Sequence, residues 1–270
     1  MDSRKDILKN IKCFILDMDG TIYLGSKLIE GAHRFLNCLE QFGLDYYFYT
    51  NNSSKNVAAY ESKLRKMNLP VSDGKIMISS HVILSYLQKN MPDAKVFLLG
   101  TPELREDFEK AGVTLVEQDP TIVVVGFDTT LTYERLAKAC TFIRNGVTVY
   151  GVNPDLNCPV EDGFIPDCGS IFALITCSTG VEPVEYFGKP SRHTLEYVLE
   201  KTGYREEQVA FVGDRLYTDM AVTIGTKAKS LLVLSGESKV EDIDKYNIHP
   251  DAVFSSVDEI RELLYEIYNH

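Results

Sequence analysis

The sequence predicts an α/β fold with doubly wound parallel sheets, and three observations predict it. Short apolar runs alternate with stretches of helical period along nearly the whole chain. Four polar clusters, Asp17/Asp19, Thr50/Asn51/Asn52, Lys189 and Asp214/Asp219, each stand directly after such a run. The rhythm breaks at Asn90-Met91-Pro92-Asp93 and then restarts. In open α/β sheets, ligands sit in the crevice outside the carboxyl ends of the strands. The common phase of the four clusters therefore points to one crevice.

The elements follow in order. The charged start, Met1 to Asp6, leads into a first strand from about Lys12 to Leu16. A helix puts Ala32, Phe35, Leu36 and Leu39 on one face, and Gly43 stops it. The aromatic run Tyr46-Tyr47-Phe48-Tyr49 is a strand that ends in Thr50-Asn51-Asn52-Ser53-Ser54, a helix-capping cluster. That next helix runs to about Asn68, before Pro70, and a strand at Lys75–Ile78 feeds a helix to about Lys89. Past the break come a strand at Val96–Gly100 and a helix from Pro102 to Lys110, closed by Gly112. A strand at Ile122–Gly126 precedes a helix from Tyr133 to Arg144 with Leu136, Ala137, Cys140 and Ile143 inward. After a strand at Val147–Tyr150, a loop rich in Asn, Pro, Asp and Gly runs to Ser170, and Ile171–Cys177 is helical. Glu185-Tyr186-Phe187 reads as a strand before Gly188-Lys189-Pro190, and a helix runs from Ser191 to Gly203. Strands at Val209–Val212, Leu231–Leu234 and Ala252–Phe254 close the sheet. A last helix carries Val257, Ile260, Leu263, Leu264 and Ile267 on one stripe, and His270 is expected to fray.

Bulk properties exclude several classes. At 270 residues the chain is one large domain or two ordinary ones, and 44% hydrophobic residues supply a core. No apolar run is long enough to span a bilayer, and the start lacks a signal-peptide apolar region, so a cytoplasmic protein without membrane contact is expected. A net charge of -11 argues against nucleic-acid binding, which needs clustered bases. Among the six cysteines no pair has zinc-ligand spacing. Cys13, Cys38, Cys140 and Cys177 read as core thiols, whereas Cys158 and Cys168 fall in the loop, where exposure is expected. A cytosolic setting disfavours a disulfide between those two. His33, His81, His193 and His249 show no catalytic spacing and read as surface or packing residues.

The chemistry starts from Asp17-Met18-Asp19-Gly20-Thr21, directly after Cys13-Phe14-Ile15-Leu16. Two acids one residue apart repel, by about 4 kcal/mol at a separation of about 4 Å and an effective dielectric of about 20. A divalent cation offsets that repulsion most simply; a turn that happens to carry two acids is the bland alternative. An EF-hand is excluded, because its sixth and twelfth positions would be Ile22 and Leu28. Three carboxylates, one ammonium and small polar donors suit Mg²⁺ that shares a phosphate. Lys189 suits phosphate as a point cation, yet most lysines are solvated surface. Thr50 and Asn51 suit phosphate oxygens at a helix start, yet such residues often only cap. Asp214 fits a metal ligand, while Asp219 fits either a metal site or a helix N-terminus.

Together these motifs resemble the haloacid dehalogenase-like superfamily of aspartate-nucleophile phosphatases. The match rests on Asp17-Met18-Asp19-Gly20-Thr21, Thr50-Asn51, Gly188-Lys189-Pro190, and Gly213-Asp214 followed by Asp219, in that order. Asn153-Pro154-Asp155, Gly163-Phe164 and Cys168-Gly169 resemble the NagD-like, 4-nitrophenylphosphatase-type branch. The resemblance implies a Rossmann-like core at 1–89 and 185–270 and an inserted α/β cap domain at 90–184. It implies Asp17 as nucleophile and Mg²⁺ ligand. Asp19 is implied as general acid/base, with its backbone carbonyl on the metal. Asp214 is implied as a metal ligand, Asp219 as support for the metal site, and Thr50, Asn51 and Lys189 as the phosphate cradle. In that branch the cap closes over the phosphate and selects the leaving group. Asn153, Asp155 and Cys168 are the cap's candidate substrate contacts, with ordinary turn or helix-cap roles as the alternative.

The function expected is a Mg²⁺-dependent phosphatase of small phosphorylated metabolites, sugar phosphates or nucleotide monophosphates among them. A phosphotransferase or mutase would use the same aspartyl phosphate with a sugar hydroxyl as acceptor. A non-catalytic sensor of a phosphorylated ligand is the remaining reading, although an acid for the leaving group is useless to a binder. The expected partner is the small substrate, and the cap offers a surface for self-association.

Overall fold

A computed structural model describes residues 3–160 and 163–269; His270 lies outside the described residues. The chain divides into two compact units. The first takes the described part of Met1–Thr50, Glu61–Met77 and the described part of Leu195–His270. The second takes Asn51–Tyr60 and the described part of Ile78–Thr194.

The first unit is built on a six-stranded sheet in the order Ala252–Phe254, Lys229–Val233, Val209–Gly213, Cys13–Leu16, Asp45–Thr50 and Ile76–Ile78. Cys13–Leu16 pairs in parallel with Val209–Gly213 on one side and Asp45–Thr50 on the other. The first three strands in sequence run outward one way and the last three the other way. The winding therefore reverses between Cys13–Leu16 and Val209–Gly213, the switch point where such sheets bind ligands. All four residues of Cys13–Leu16 are buried, as both-face burial in a parallel sheet requires. The helix Ala32–Gln41 buries Ala32, Phe35, Leu36, Cys38 and Leu39. The helix Val257–Tyr268 buries Val257, Ile260, Leu263 and Leu264, with Ser256 accepting a hydrogen bond from the Asp258 N–H as its cap.

The second unit has a four-stranded sheet in the order Thr114–Leu115, Lys95–Leu99, Ile122–Val125 and Thr148–Gly151, paired in parallel throughout. Its core joins Phe97, Val123, Phe127, Cys140, Phe172 and Ile175. The helix Tyr133–Arg144 matches its expected span, but its buried stripe is Leu136, Ala139, Cys140 and Ile143. Ala137 is exposed, because at about 100° per residue it lies a quarter-turn off that stripe.

Several expectations are corrected. A helix, Ser3–Leu8, stands where the start was to lead straight into a strand. The loop to Ser170 contains two antiparallel strands, Asn157–Val160 against Gly163–Pro166, and the following helix begins at Cys168. Glu185–Phe187 forms no strand; Tyr186 makes a single bridge to Gly151. All six cysteines are free; Cys177 is exposed, whereas Cys168 is buried as the first residue of its helix. Among the described residues, no helix is long and apolar enough to cross a membrane.

Candidate active site

Parallel pairing aligns Leu16 with Val212, so the residues just past both strands emerge side by side. The Asp17 N–H donates to the Val212 carbonyl (2.8 Å), extending the ladder one step. Asp17, Asp214 and Asp219 each offer a carboxylate oxygen, and these oxygens lie within 4.8 Å of one another. Gly20 has φ +87, and a Cβ there would stand 2.3 Å from Asp214 Oδ2. Only glycine tolerates both that backbone and that approach. Asp219 sits on the wide helical turn Leu216–Met220, and its Oδ2 accepts the Arg215 N–H (3.1 Å).

Asp214 and Asp219 are both 2% exposed. Asp214 Oδ2 accepts the Glu237 N–H (2.7 Å), but Oδ1 is buried with no hydrogen-bond partner. Burial first, and the charge of Asp219 second, push the Asp214 carboxyl up to about 7. A carboxylate cluster with an unmet buried oxygen is a set of hard donors short of a cation. These residues fit a divalent metal.

Asp19 stands apart from that cluster in its side chain. Its Oδ1 accepts the Gly25 N–H (3.4 Å), and its Oδ2 lies 3.7 Å from Lys63 Nζ. Thr50 ends its strand and is buried.

The second unit holds the remaining candidates. Asn51 Nδ2 donates to the Lys189 carbonyl (2.8 Å), and Asn51 Oδ1 accepts the Lys189 N–H (2.9 Å). Two motifs 138 residues apart are thus joined by one amide. Gly188 makes room for it, since a Cβ there would lie 2.7 Å from Asn51 Oδ1. Lys189 is 2% exposed, so it is no ordinary surface lysine. Asn153 is fully buried and donates to Asp155 Oδ2 (3.2 Å) and Asp167 Oδ1 (3.1 Å). Asp167 also caps the helix Cys168–Thr179 by accepting the Cys168 N–H. The Cys168 thiol is held above its ordinary range by burial, and Sγ contacts the Val125 carbonyl (3.2 Å). His193 stacks on Phe187 (centroids 5.0 Å apart), the packing role expected of it.

Residues 14–114 match the family of haloacid dehalogenase-like hydrolases, and residues 186–260 match a HAD-hydrolase-like model. The chain belongs to the haloacid dehalogenase-like hydrolases. It is 34% identical to an acid sugar phosphatase of Staphylococcus aureus (strain MRSA252), over 93% of this chain and 97% of that one. The crystal structure of a 4-nitrophenylphosphatase from Thermotoga maritima superposes with a TM-score of 0.91 at 42% identity, covering 95% of this chain and 98% of that one. NagD from E. coli K-12 superposes with a TM-score of 0.85 at 29% identity, covering 93% and 98%. Within the hydrolase family this chain thus falls in the NagD-like branch.

Sequence reasoning missed three members of the hydrolase's polar framework. Glu237, whose N–H holds Asp214, follows a strand but belongs to none of the four motifs. Asp167 was legible as an Asp just before an apolar helix, the usual capping signal. Lys63 carries no sequence signal at all.

Proposed function

We propose that the chain is a Mg²⁺-dependent phosphatase of small phosphorylated metabolites, sugar phosphates foremost, working through an aspartyl phosphate. Family membership makes it a phosphoric monoester hydrolase; the proposal adds the metal, the substrate class and the residues. One observation carries it: Asp17, Asp214 and Asp219 converge, and a buried oxygen of Asp214 lacks a partner. Asp17, Asp214 and the Asp19 carbonyl would hold the cation, with Asp219 beside them. When bound, Mg²⁺ supplies positive charge to the phosphoryl oxygens. An Asp17 carboxylate oxygen attacks phosphorus in line, and the bond from phosphorus to the leaving oxygen breaks. Asp19 gives its proton to that oxygen, then takes one from the water that cleaves the Asp17–phosphorus bond, which releases phosphate. Lys189 offsets phosphate charge, Thr50 donates to its oxygens, and Asn51 serves by fixing the Lys189 backbone. The sugar-phosphate preference is supported by the likeness to the acid sugar phosphatase of Staphylococcus aureus, and a net charge of -11 speaks against polyanionic partners.

The test is phosphate release across a metabolite panel, with Mg²⁺ and with excess chelator. Release should need Mg²⁺, return when it is restored, and be greatest for sugar phosphates. Asp17→Asn should lower turnover on the order of 10⁴-fold or more with an unchanged circular dichroism spectrum. Chelator-resistant turnover, or an Asp17→Asn enzyme near the wild-type rate, would reject the reading.

A further inference from the structure

We propose that Lys63 is the positioning residue of the leaving-group acid: it holds the Asp19 carboxylate in the pose from which the proton is delivered. The inference rests on the general-acid role proposed above for Asp19 and extends it to a residue outside the four motifs.

The geometry lies wholly within the first unit. Asp19 leaves the sheet on a loop whose next residues turn back as a small hairpin, Tyr23–Leu24 against Lys27–Leu28. The Gly20 N–H donates to the Tyr23 carbonyl (2.7 Å), and the Tyr23 N–H donates to the Met18 carbonyl (3.1 Å), so the hairpin is fastened on both sides of Asp19. Each oxygen of the carboxylate faces a donor. Oδ1 accepts the Gly25 N–H from the hairpin turn (3.4 Å), and Oδ2 faces Lys63 Nζ at 3.7 Å. Lys63 also lies over the Tyr23 ring, with Nζ 3.7 Å from its centroid. A cation on an aromatic face gains a directional attraction that a solvated lysine lacks. The ring therefore fixes the ammonium, and the ammonium fixes the second carboxylate oxygen. The Lys63 and Asp19 side chains are 30% and 39% exposed. A pair this exposed adds little to stability, so its value lies in direction. A carboxyl group free to turn about two bonds loses much of its efficiency as a proton donor, because transfer needs hydrogen-bond reach to the leaving oxygen.

A positioning role predicts a loss that grows as the leaving oxygen becomes more basic. Nitrophenolate departs without a proton, whereas an alkoxide does not. The experiment measures kcat/KM for 4-nitrophenyl, phenyl and benzyl phosphate, three neutral leaving groups of similar shape and graded basicity. This constant covers only the steps up to leaving-group departure, so later hydrolysis of the aspartyl phosphate does not enter. In Lys63→Met the benzyl to 4-nitrophenyl ratio should fall by roughly tenfold, a fraction of the 10²–10⁴ that a positioned acid supplies. Lys63→Arg should restore most of it, and Lys63→Gln is the second variant should the methionine protein not fold. Because each ratio is internal to one preparation, a partly unfolded sample does not shift it. Asp19→Asn is the control and should lower the ratio further. An equal loss on all three substrates, or no loss, in Lys63→Met while Asp19→Asn lowers the ratio overturns the positioning role alone. An unchanged ratio in Asp19→Asn overturns the acid assignment beneath it.

Discussion

Each unit holds a group of largely buried carboxylates, and the two groups are neutralised in different ways. In the second unit, Asn153 places one amide between Asp155 and Asp167, and the N-terminus of the helix Cys168–Thr179 meets Asp167 from the other side. The chain supplies donors of its own to Asp155 Oδ2 and Asp167 Oδ1, although Asp155 Oδ1 is buried without a hydrogen-bond partner. In the first unit, Asp17, Asp214 and Asp219 face one another. Backbone N–H groups of Arg215 and Glu237 serve single oxygens of Asp219 and Asp214, and the other oxygen of Asp214 is left over. The difference teaches that buried acids alone do not mark a metal site. What sets the first group apart is convergence, three carboxylate oxygens within 4.8 Å of one another.

Three substitutions break or sharpen that contrast. The largest effect falls on the first unit. Asp214→Asn should cut turnover at least roughly 100-fold, as loss of a metal ligand does, and should abolish any rise of melting temperature with Mg²⁺. At about one hundred times Kd the wild type should gain about 2.7 kcal/mol from the ion, read by thermal melting with and without chelator. A Mg²⁺-induced rise that survives in Asp214→Asn would break the contrast.

The second falls on the other group. Asn153→Ala strips the donor from two buried carboxylates and should cost about 2 kcal/mol in urea unfolding, with or without Mg²⁺. A cost that Mg²⁺ removes would mean that this group, too, is a cation site.

The smallest effect uses a third acid that has neither kind of help. Asp107, on the helix Pro102–Lys110, has a buried Oδ2 without a partner, and burial pushes its carboxyl up to about 6. A carboxyl raised from 3.8 holds its proton longer in the folded chain than in the unfolded one. The folded state therefore binds more protons between those values, and stability falls as pH rises through that window. Asp107→Asn should stabilise the protein by about 1 kcal/mol above about pH 7 and by nothing below about pH 3.5, allowing for solvent screening of a half-exposed group. Urea titrations at the two pH values check it.

Much of this is legible in the sequence. The parallel core strands announced themselves because burial on both faces demands unbroken apolar runs, as in Val209–Val212 and Ile122–Val125. The convergence of Asp17 and Asp214 was legible because both follow such strands. The antiparallel pair Asn157–Val160 and Gly163–Pro166 was not, because Pro159, Gly163 and Pro166 spell turn rather than strand. The helix Ser3–Leu8 is too short to show a period. Cys168 and Cys177 exchanged environments because the helix Cys168–Thr179 takes in Cys168 on its buried face, and nine residues at about 100° each put Cys177 on the opposite one. Asn51 read as a phosphate ligand or a helix cap, and nothing local reveals its partner 138 residues away.

The loops beyond three neighbouring strands of the first unit's sheet meet through what they lack. A methyl group at position 20 would lie 2.3 Å from Asp214 Oδ2, and one at position 236 would lie 2.0 Å from the same atom. Neither distance is survivable, so a carbon added on either flank would evict the acid from its seat. Two hydrogen atoms, placed where every other amino acid branches, decide whether that carboxylate has anywhere to stand.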